Sequence, residues 1–268
     1  MRIAALPMYD LPELEAANDA WWAAIAASLI RQGIQNVPAR LTRGVPVEAI
    51  WTDPNLLLAQ ACGYPLVTSL RDRVRIVATP TYGAMGCDGP LYRSAVVVRR
   101  IDSAAGLADL RGRRCAVNDR ASNSGMNLLR AEIAPLAAGA PFFGGVAMTG
   151  AHARSVAAVA ADEADVAAID AITWAQLQRW RTPETEGLRV LTWTAASPGL
   201  PLITAATTDG AAVAALRQAL VEVADDPALA AVRTRLLLTG FESLPAGAYE
   251  SIIAVERAAI VQGYPSLA

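Results

Sequence analysis

The sequence predicts an α/β protein whose sheets are mostly parallel and flanked by helices. Three observations carry this. Apolar runs of strand length alternate with helix-length stretches through most of the chain, the spacings suit strand–helix crossover units, and 54% apolar against 18% charged residues supplies enough apolar surface for a core.

Taken in order, RIAALPM reads as a first strand. Leu14, Asn18, Trp21, Ile25 and Leu29 then fall on one helical face at spacings of three and four, and Gly33 supplies the stop. NVPARLT is predicted as a short strand, NLLLAQACG and RVRIVAT as buried strands, and AVVVRR as a fourth. A helix around GLADLRG precedes strand RCAVN, SGMNLLRAEI is helical, and GGVAMTG is strand-like. AHARSVAAVAADE reads as helix, DVAAID as a buried strand, AITWAQLQRW as helix and LRVLTWT as strand. From Asp209 onward three helices are expected, broken at Pro227, Gly240 and Pro245, with no new strand.

At 268 residues, one large domain and two lobes are both open. The net charge is 23 − 25 = −2, and every basic residue is arginine. No basic cluster marks a nucleic-acid partner. The longest apolar stretch, WWAAIAASLI, falls well short of the ~20 residues that cross a bilayer, so no membrane span is expected. The amino terminus, MRIAALPM, runs straight into a strand pattern without an apolar leader region. A periplasmic location therefore requires that a leader has been removed, and a native start here implies the cytoplasm. Cys62, Cys87 and Cys115 have no metal-type spacing and read as buried thiols, with a Cys62–Cys87 disulfide open only in an oxidising compartment. No cofactor or metal is predicted.

The segment NDRASNSGMNLLR, from Asn118 to Arg130, joins a strand to a helix. The first N–H groups of a helix lack intrahelical partners and carry partial positive charge, so a small anion fits there without a lysine. Ser122, Asn123 and Ser124 add side-chain donors, and Gly125 lets a ligand oxygen approach the backbone. The expectation is that the amides of residues 122–125 stand unpaired. An ordinary N-cap predicts the same letters. The segment is neither a Walker loop nor a G-x-S-x-G elbow. Two more strand ends carry polar groups, Gly150–His152 and Asp170, each followed by a helix, and ligands of open α/β sheets gather at such ends. His152 could equally pack or cap, and Asp170 could simply cap its helix.

These segments together resemble the phosphonate-type (PhnD-like) substrate-binding proteins of ABC transporters, within the type II periplasmic-binding-protein fold. LYRSAVVVRR is similar to the strand that carries the chain into that family's second lobe. GLADLRGRRCAVNDRASNSG resembles its L-x-D-L-x-G and serine-rich anion loop, TGAHARSVAAVAADEADVAAID its G-x-H and D-V-A-A run, and GFESLPAGAYESI its closing segment. The resemblance implies a two-lobed fold joined by two crossover strands. Lobe I would hold 1–93 and 197–268, lobe II 94–196, and a small anionic ligand (phosphonate, phosphate-like or related) would sit in the cleft between them.

By the same resemblance, Ser122, Asn123, Ser124, His152 and Tyr92 hold the anionic head group. Ile172 stands where binders of amine-bearing phosphonates place a carboxylate, so aminophosphonates are not expected. In the first lobe, Tyr9 after the first strand, Gln60 at the end of NLLLAQACG, Trp51 and Tyr82 are candidate contacts, each with core packing as the plain alternative. The expected role is a non-enzymatic solute-binding protein, with a transporter permease as partner. Two alternatives stand: a cytoplasmic sensor or carrier of the same fold, and an enzyme pairing His152 with Ser124 or Cys115, for which no spacing supplies the orienting acid.

Overall fold

A computed structural model describes residues 2–245 and 247–268. In chain order the strands are β1 (Ile3–Ala5), β2 (Leu56–Gln60), β3 (Val74–Tyr82), β4 (Cys87–Asp88), β5 (Leu91–Tyr92), β6 (Ser94–Arg99), β7 (Arg114–Val117), β8 (Gly145–Met148), β9 (Val166–Asp170), β10 (Leu188–Trp193), β11 (Ser197–Pro198), β12 (Leu202–Ala205) and β13 (Leu238–Glu242). The helices are α1 (Glu15–Arg31), α2 (Val47–Trp51), α3 (Gly63–Val67), α4 (Leu128–Ala137), α5 (His152–Ala160), α6 (Ala171–Trp180), α7 (Thr182–Thr185), α8 (Gly210–Asp225), α9 (Ala230–Leu236) and α10 (Glu250–Val261). The chain divides into two compact units. Unit 1 is Met1–Gly83, Asp88–Pro90 and Gly199–Ala246; unit 2 is Ala84–Cys87, Leu91–Pro198 and Gly247–Ala268.

The sheet of unit 1 has the order β1-β2-β12-β3-β13. β1 and β2 are parallel, whereas β12 runs antiparallel to both β2 and β3, and β13 antiparallel to β3. All five residues of β2 are buried, which is why LLLAQ carries no polar–apolar alternation. α1 buries Asn18, Trp21, Trp22, Ile25 and Leu29 along the predicted face. It ends where Gly33 takes φ +81°, donating its N–H to the Ile30 carbonyl.

In unit 2 the order is β10-β6-β9-β7-β8. β7 pairs parallel with β8 and β9, while β6 runs antiparallel to both β9 and β10. A hydrophobic layer of Val96, Val97, Val98, Ala167 and Ile169 lies fully buried through its centre. Beside it, Ser197 of β11 pairs with Tyr92 of β5.

Four expectations are corrected. The sheets are mixed, not mostly parallel: β6 runs antiparallel to β9 and β10, β12 to β2 and β3, and β13 to β3. The stretch 36–42 forms no strand: Pro38 lacks a donor, and a single bond from Thr42 N to the Ala4 carbonyl (2.7 Å) ties it to the sheet edge. A strand does follow Asp209. Leu237 adopts φ +59° after α9, and the reversal lets Leu238–Glu242 pair with β3, with Gly240 inside the strand. Finally, residues 247–268, expected with the first lobe, belong to unit 2. There α10 packs on α4, and the buried Asn127 just before α4 and Arg130 within it donate to the Ile252 and Pro265 carbonyls.

Candidate anion site

β7, β8 and β9 are parallel, so Asn118, Thr149 and Asp170 come to the same edge of the unit 2 sheet. Beyond β7 the chain makes a single π turn over Asn123–Asn127 before α4 begins. Asn127 N donates to the Ser122 carbonyl (3.0 Å), and Leu128 N donates to that of Asn123. Ser122 has extended backbone and accepts from Gly125 N through Oγ (2.9 Å). A Cβ on Gly125 would lie 1.8 Å from Asn118 Oδ1 and 3.2 Å from His152 Cε1, so only glycine fits between them.

Two of the four amides expected to stand unpaired are paired: Ser122 N donates to the Asp119 carbonyl and Gly125 N to Ser122 Oγ. Hydroxyl groups take their place. Ser124 Oγ lies 2.7 Å from His152 Nε2 and 3.4 Å from Ser122 Oγ, and Ser94 Oγ donates to the Ser124 carbonyl (2.9 Å).

His152 opens α5 at the end of β8 and makes its hydrogen bond to Ser124, not to Asp170. Its Nδ1 is buried without a hydrogen bond of normal geometry. Burial pushes the imidazole pKa down to about 4, although the nearby Ala168 carbonyl favours a proton. The ring is therefore neutral at pH 7. A proton on Nδ1, toward Ala168, leaves Nε2 as acceptor and Ser124 O–H as donor.

Asn123 is fully buried and turned inward: its Nδ2 donates to Tyr92 OH (3.1 Å) and to Ser197 Oγ (2.9 Å). Asn123 and Tyr92 thus join the turn as its frame. Asp170 Oδ1 accepts from Ile172 N (2.8 Å) and Thr173 N (3.0 Å), the helix-cap arrangement for α6. Gly150 is exposed at φ +82° and turns the chain into α5.

In unit 1, Tyr9, Gln60 and Tyr82 gather beyond the ends of β1, β2 and β3. The Tyr9 and Tyr82 rings meet edge to face at 5.3 Å, and Gln60 Nε2 donates to Tyr82 OH (3.1 Å) and the Leu200 carbonyl (3.3 Å). They border a cavity of about 40 Å³ walled further by Trp21 and Phe241. That is room for about two or three waters, far below the volume of a site that encloses a small molecule. Trp51 is core: its indole donates to the Gln60 carbonyl at 3.0 Å. Cys62, Cys87 and Cys115 are free thiols, and burial pushes those of Cys87 and Cys115 up to about 12. Among the described residues no cluster suited to a metal ion occurs.

Sequence reasoning missed Ser94, Ser197, Asn118, Asn127 and Arg130. A signal existed for two of them: Asn123, Asn127 and Arg130 recur at spacings of four and three, a polar stripe on an otherwise apolar helix. Ser94 and Ser197 reach the turn only through sheet pairing, which no local pattern reveals.

The family model for the ABC-transporter phosphonate periplasmic substrate-binding protein matches residues 3–249. Similar solved structures include a binding protein component of an ABC phosphonate transporter from Pseudomonas aeruginosa (17% identity, 98% of this chain and 88% of that one, TM-score 0.74). PhnD1 from Prochlorococcus marinus in complex with methylphosphonate is also similar (15%, 96% and 97%, TM-score 0.74), as is XAC2383 from Xanthomonas citri bound to ATP (17%, 97% and 97%, TM-score 0.70). Among curated proteins none matches the chain in sequence. Among the described residues no helix is long and apolar enough to cross a membrane. Matched over nearly its whole length, the chain belongs to the phosphonate family of ABC-transporter periplasmic substrate-binding proteins, a family of solute binders and not of enzymes, whose partners are a solute and a permease.

Proposed function

We propose that this protein captures a small phosphonate or phosphate-like dianion on the Ser122–Ser124–His152 cluster of unit 2 and delivers it to an ABC permease. The observation that carries the reading is the 2.7 Å pair of Ser124 Oγ and His152 Nε2 at the parallel strand ends of a chain of this family. Ser122 Oγ accepts from Gly125 N and lies 3.4 Å from Ser124 Oγ, so its own hydrogen can turn from that long contact to a ligand oxygen. A dianion arriving beside His152 raises the imidazole pKa. Once protonated, Nε2 donates to Ser124 Oγ, and the Ser124 hydrogen turns to the ligand. Asn123, Gly125 and Tyr92 shape the turn, Gly150 and Asp170 start the flanking helices, and Tyr9 and Gln60 offer polar groups at the strand ends of unit 1.

Ile172, capped by Asp170, leaves no carboxylate at the position read from the sequence as the amine partner, which favours alkylphosphonates or phosphate over aminophosphonates. Isothermal titration calorimetry with methylphosphonate, phosphate, sulfate and 2-aminoethylphosphonate tests this. Methylphosphonate or phosphate should bind tightest, and Ser122→Ala with Ser124→Ala should weaken binding by about 100-fold, two charge-assisted hydrogen bonds. Absence of binding by all four, or undiminished binding by the double variant, overturns the reading.

A further inference from the structure

Asn118 follows β7, and its Oδ1 is buried without accepting a hydrogen bond. Buried acceptors are rarely left so, and an orphan in a native fold calls for a reason. Gly125 fixes where this one lies. A Cβ on that glycine would stand 1.8 Å from Asn118 Oδ1, 2.9 Å from its Cγ and 3.2 Å from His152 Cε1. The oxygen is the nearer end of the carbonyl, so the dipole turns its negative pole onto the glycine that the imidazole also borders. What meets the oxygen there is the Gly125 hydrogen that points along the missing Cβ, and a carbon-bound hydrogen satisfies an acceptor only weakly. The same contact orients the amide, because an NH2 in that place would set its hydrogens against the one on Gly125.

We infer that Asn118 is a positioning residue that readies His152 to take up a proton from solvent when an anion binds. Beside a neutral ring the carbonyl gains little. Beside an imidazolium, whose charge is spread over both nitrogens and the Cε1 between them, it is a counter-dipole, and burial strengthens it. Little else compensates that charge: burial disfavours it and the Ala168 carbonyl favours it, with no charged side chain among the influences on the ring. Of the ionisable groups at this edge, Asp119 accepts from Ala121 N, Asp170 caps α6, Arg93 donates to the Thr194 carbonyl and Arg154 of α5 to that of Thr149. Arg99, Arg114 and Asp165 pair with one another at the opposite ends of β6, β7 and β9, and Arg179 and Glu184 lie at the end of α6 remote from Asp170. The π turn carries no ionisable group. The inference rests on the proposed anion function and adds the residue through which binding and proton uptake are joined.

The test compares wild type with Asn118→Ala, and with Asn118→Ser should Asn118→Ala fail to fold, since both lack the carbonyl. The single histidine gives one imidazole titration by NMR, recorded alone and with saturating methylphosphonate, and calorimetry at pH 7 gives the affinity. In the variant the His152 titration of the complex should fall by about one pH unit, and methylphosphonate should bind up to about tenfold more weakly. The melting temperature should stay near that of wild type, because the change removes an acceptor that was unsatisfied. The titration decides. An unchanged or raised His152 titration in the variant overturns the inference, and weaker binding or a lower melting temperature without a titration shift marks a bracing role and overturns it too. Lack of methylphosphonate binding by the wild type would instead remove the anion function. The ligand-free titration, which should also lie lower in Asn118→Ala than in wild type, then tests Asn118 by itself.

Discussion

Ser124 Oγ and His152 Nε2 stand 2.7 Å apart, while the other ring nitrogen of His152 is buried without a hydrogen bond. The pair is poised between two protonation states. Because the folded pKa, about 4, lies below the ordinary 6.5, the unfolded chain binds the extra proton more readily between these values. Stability is thus full above pH 6.5 and lost as the pH falls toward 4. His152 is the one histidine in the chain, so its imidazole gives a single NMR titration. It should titrate near 4 alone and move upward with saturating methylphosphonate, and His152→Gln should flatten the acid loss of the urea midpoint between these pH values.

Gly125→Ala tests the close approach of the turn. The added methyl would sit 1.8 Å from Asn118 Oδ1, so either the π turn or Asn118 must move. Overpacking of this kind costs about 1–3 kcal/mol. The variant should melt lower and bind methylphosphonate more weakly than its loss of stability explains, because Ser122 and Ser124 move with the turn. Calorimetry below the melting transition checks it.

Asp165 gathers four hydrogen bonds: from Arg114 N (2.8 Å), Nε (3.0 Å) and NH2 (2.9 Å), and from Arg99 NH2 (2.8 Å). Arg114 holds its carboxyl well below the usual carboxylate range, with Arg99 adding to the effect. The folded pKa is depressed, so the stabilisation is present above the ordinary Asp value and disappears as the pH falls below it. Asp165→Asn should cost about 2–3 kcal/mol at pH 7 in urea unfolding and much less in acid, without changing anion affinity.

Local physics made much of this legible. The buried face of α1, the two-sided burial of β2 and β9, and the serine turn all follow from periodicity, continuous apolar runs and polar residues before a helix. The strands β12 and β13 escaped notice because LITA and LTGFE are short, and their strand character comes from pairing with β3 far away in sequence. At the site, Ser122, Ser124 and His152 were visible as strand-end polar residues, and the structure joins them. The state of the Gly125 amide was not, since a Ser122 hydroxyl that takes up an N–H leaves the same letters as one that does not. Asn123 likewise reads as a donor for ligand, and only the partners from β5, β11 and α4 turn it inward.

The return of residues 247–268 to unit 2 has a bearing on biosynthesis. Arg130 emerges from the ribosome long before Glu256 and Pro265, and until these arrive its guanidinium lacks the acceptors that its fully packed position requires. Unit 2, although most of it is made by residue 198, can therefore close over its serine turn only when translation is almost finished.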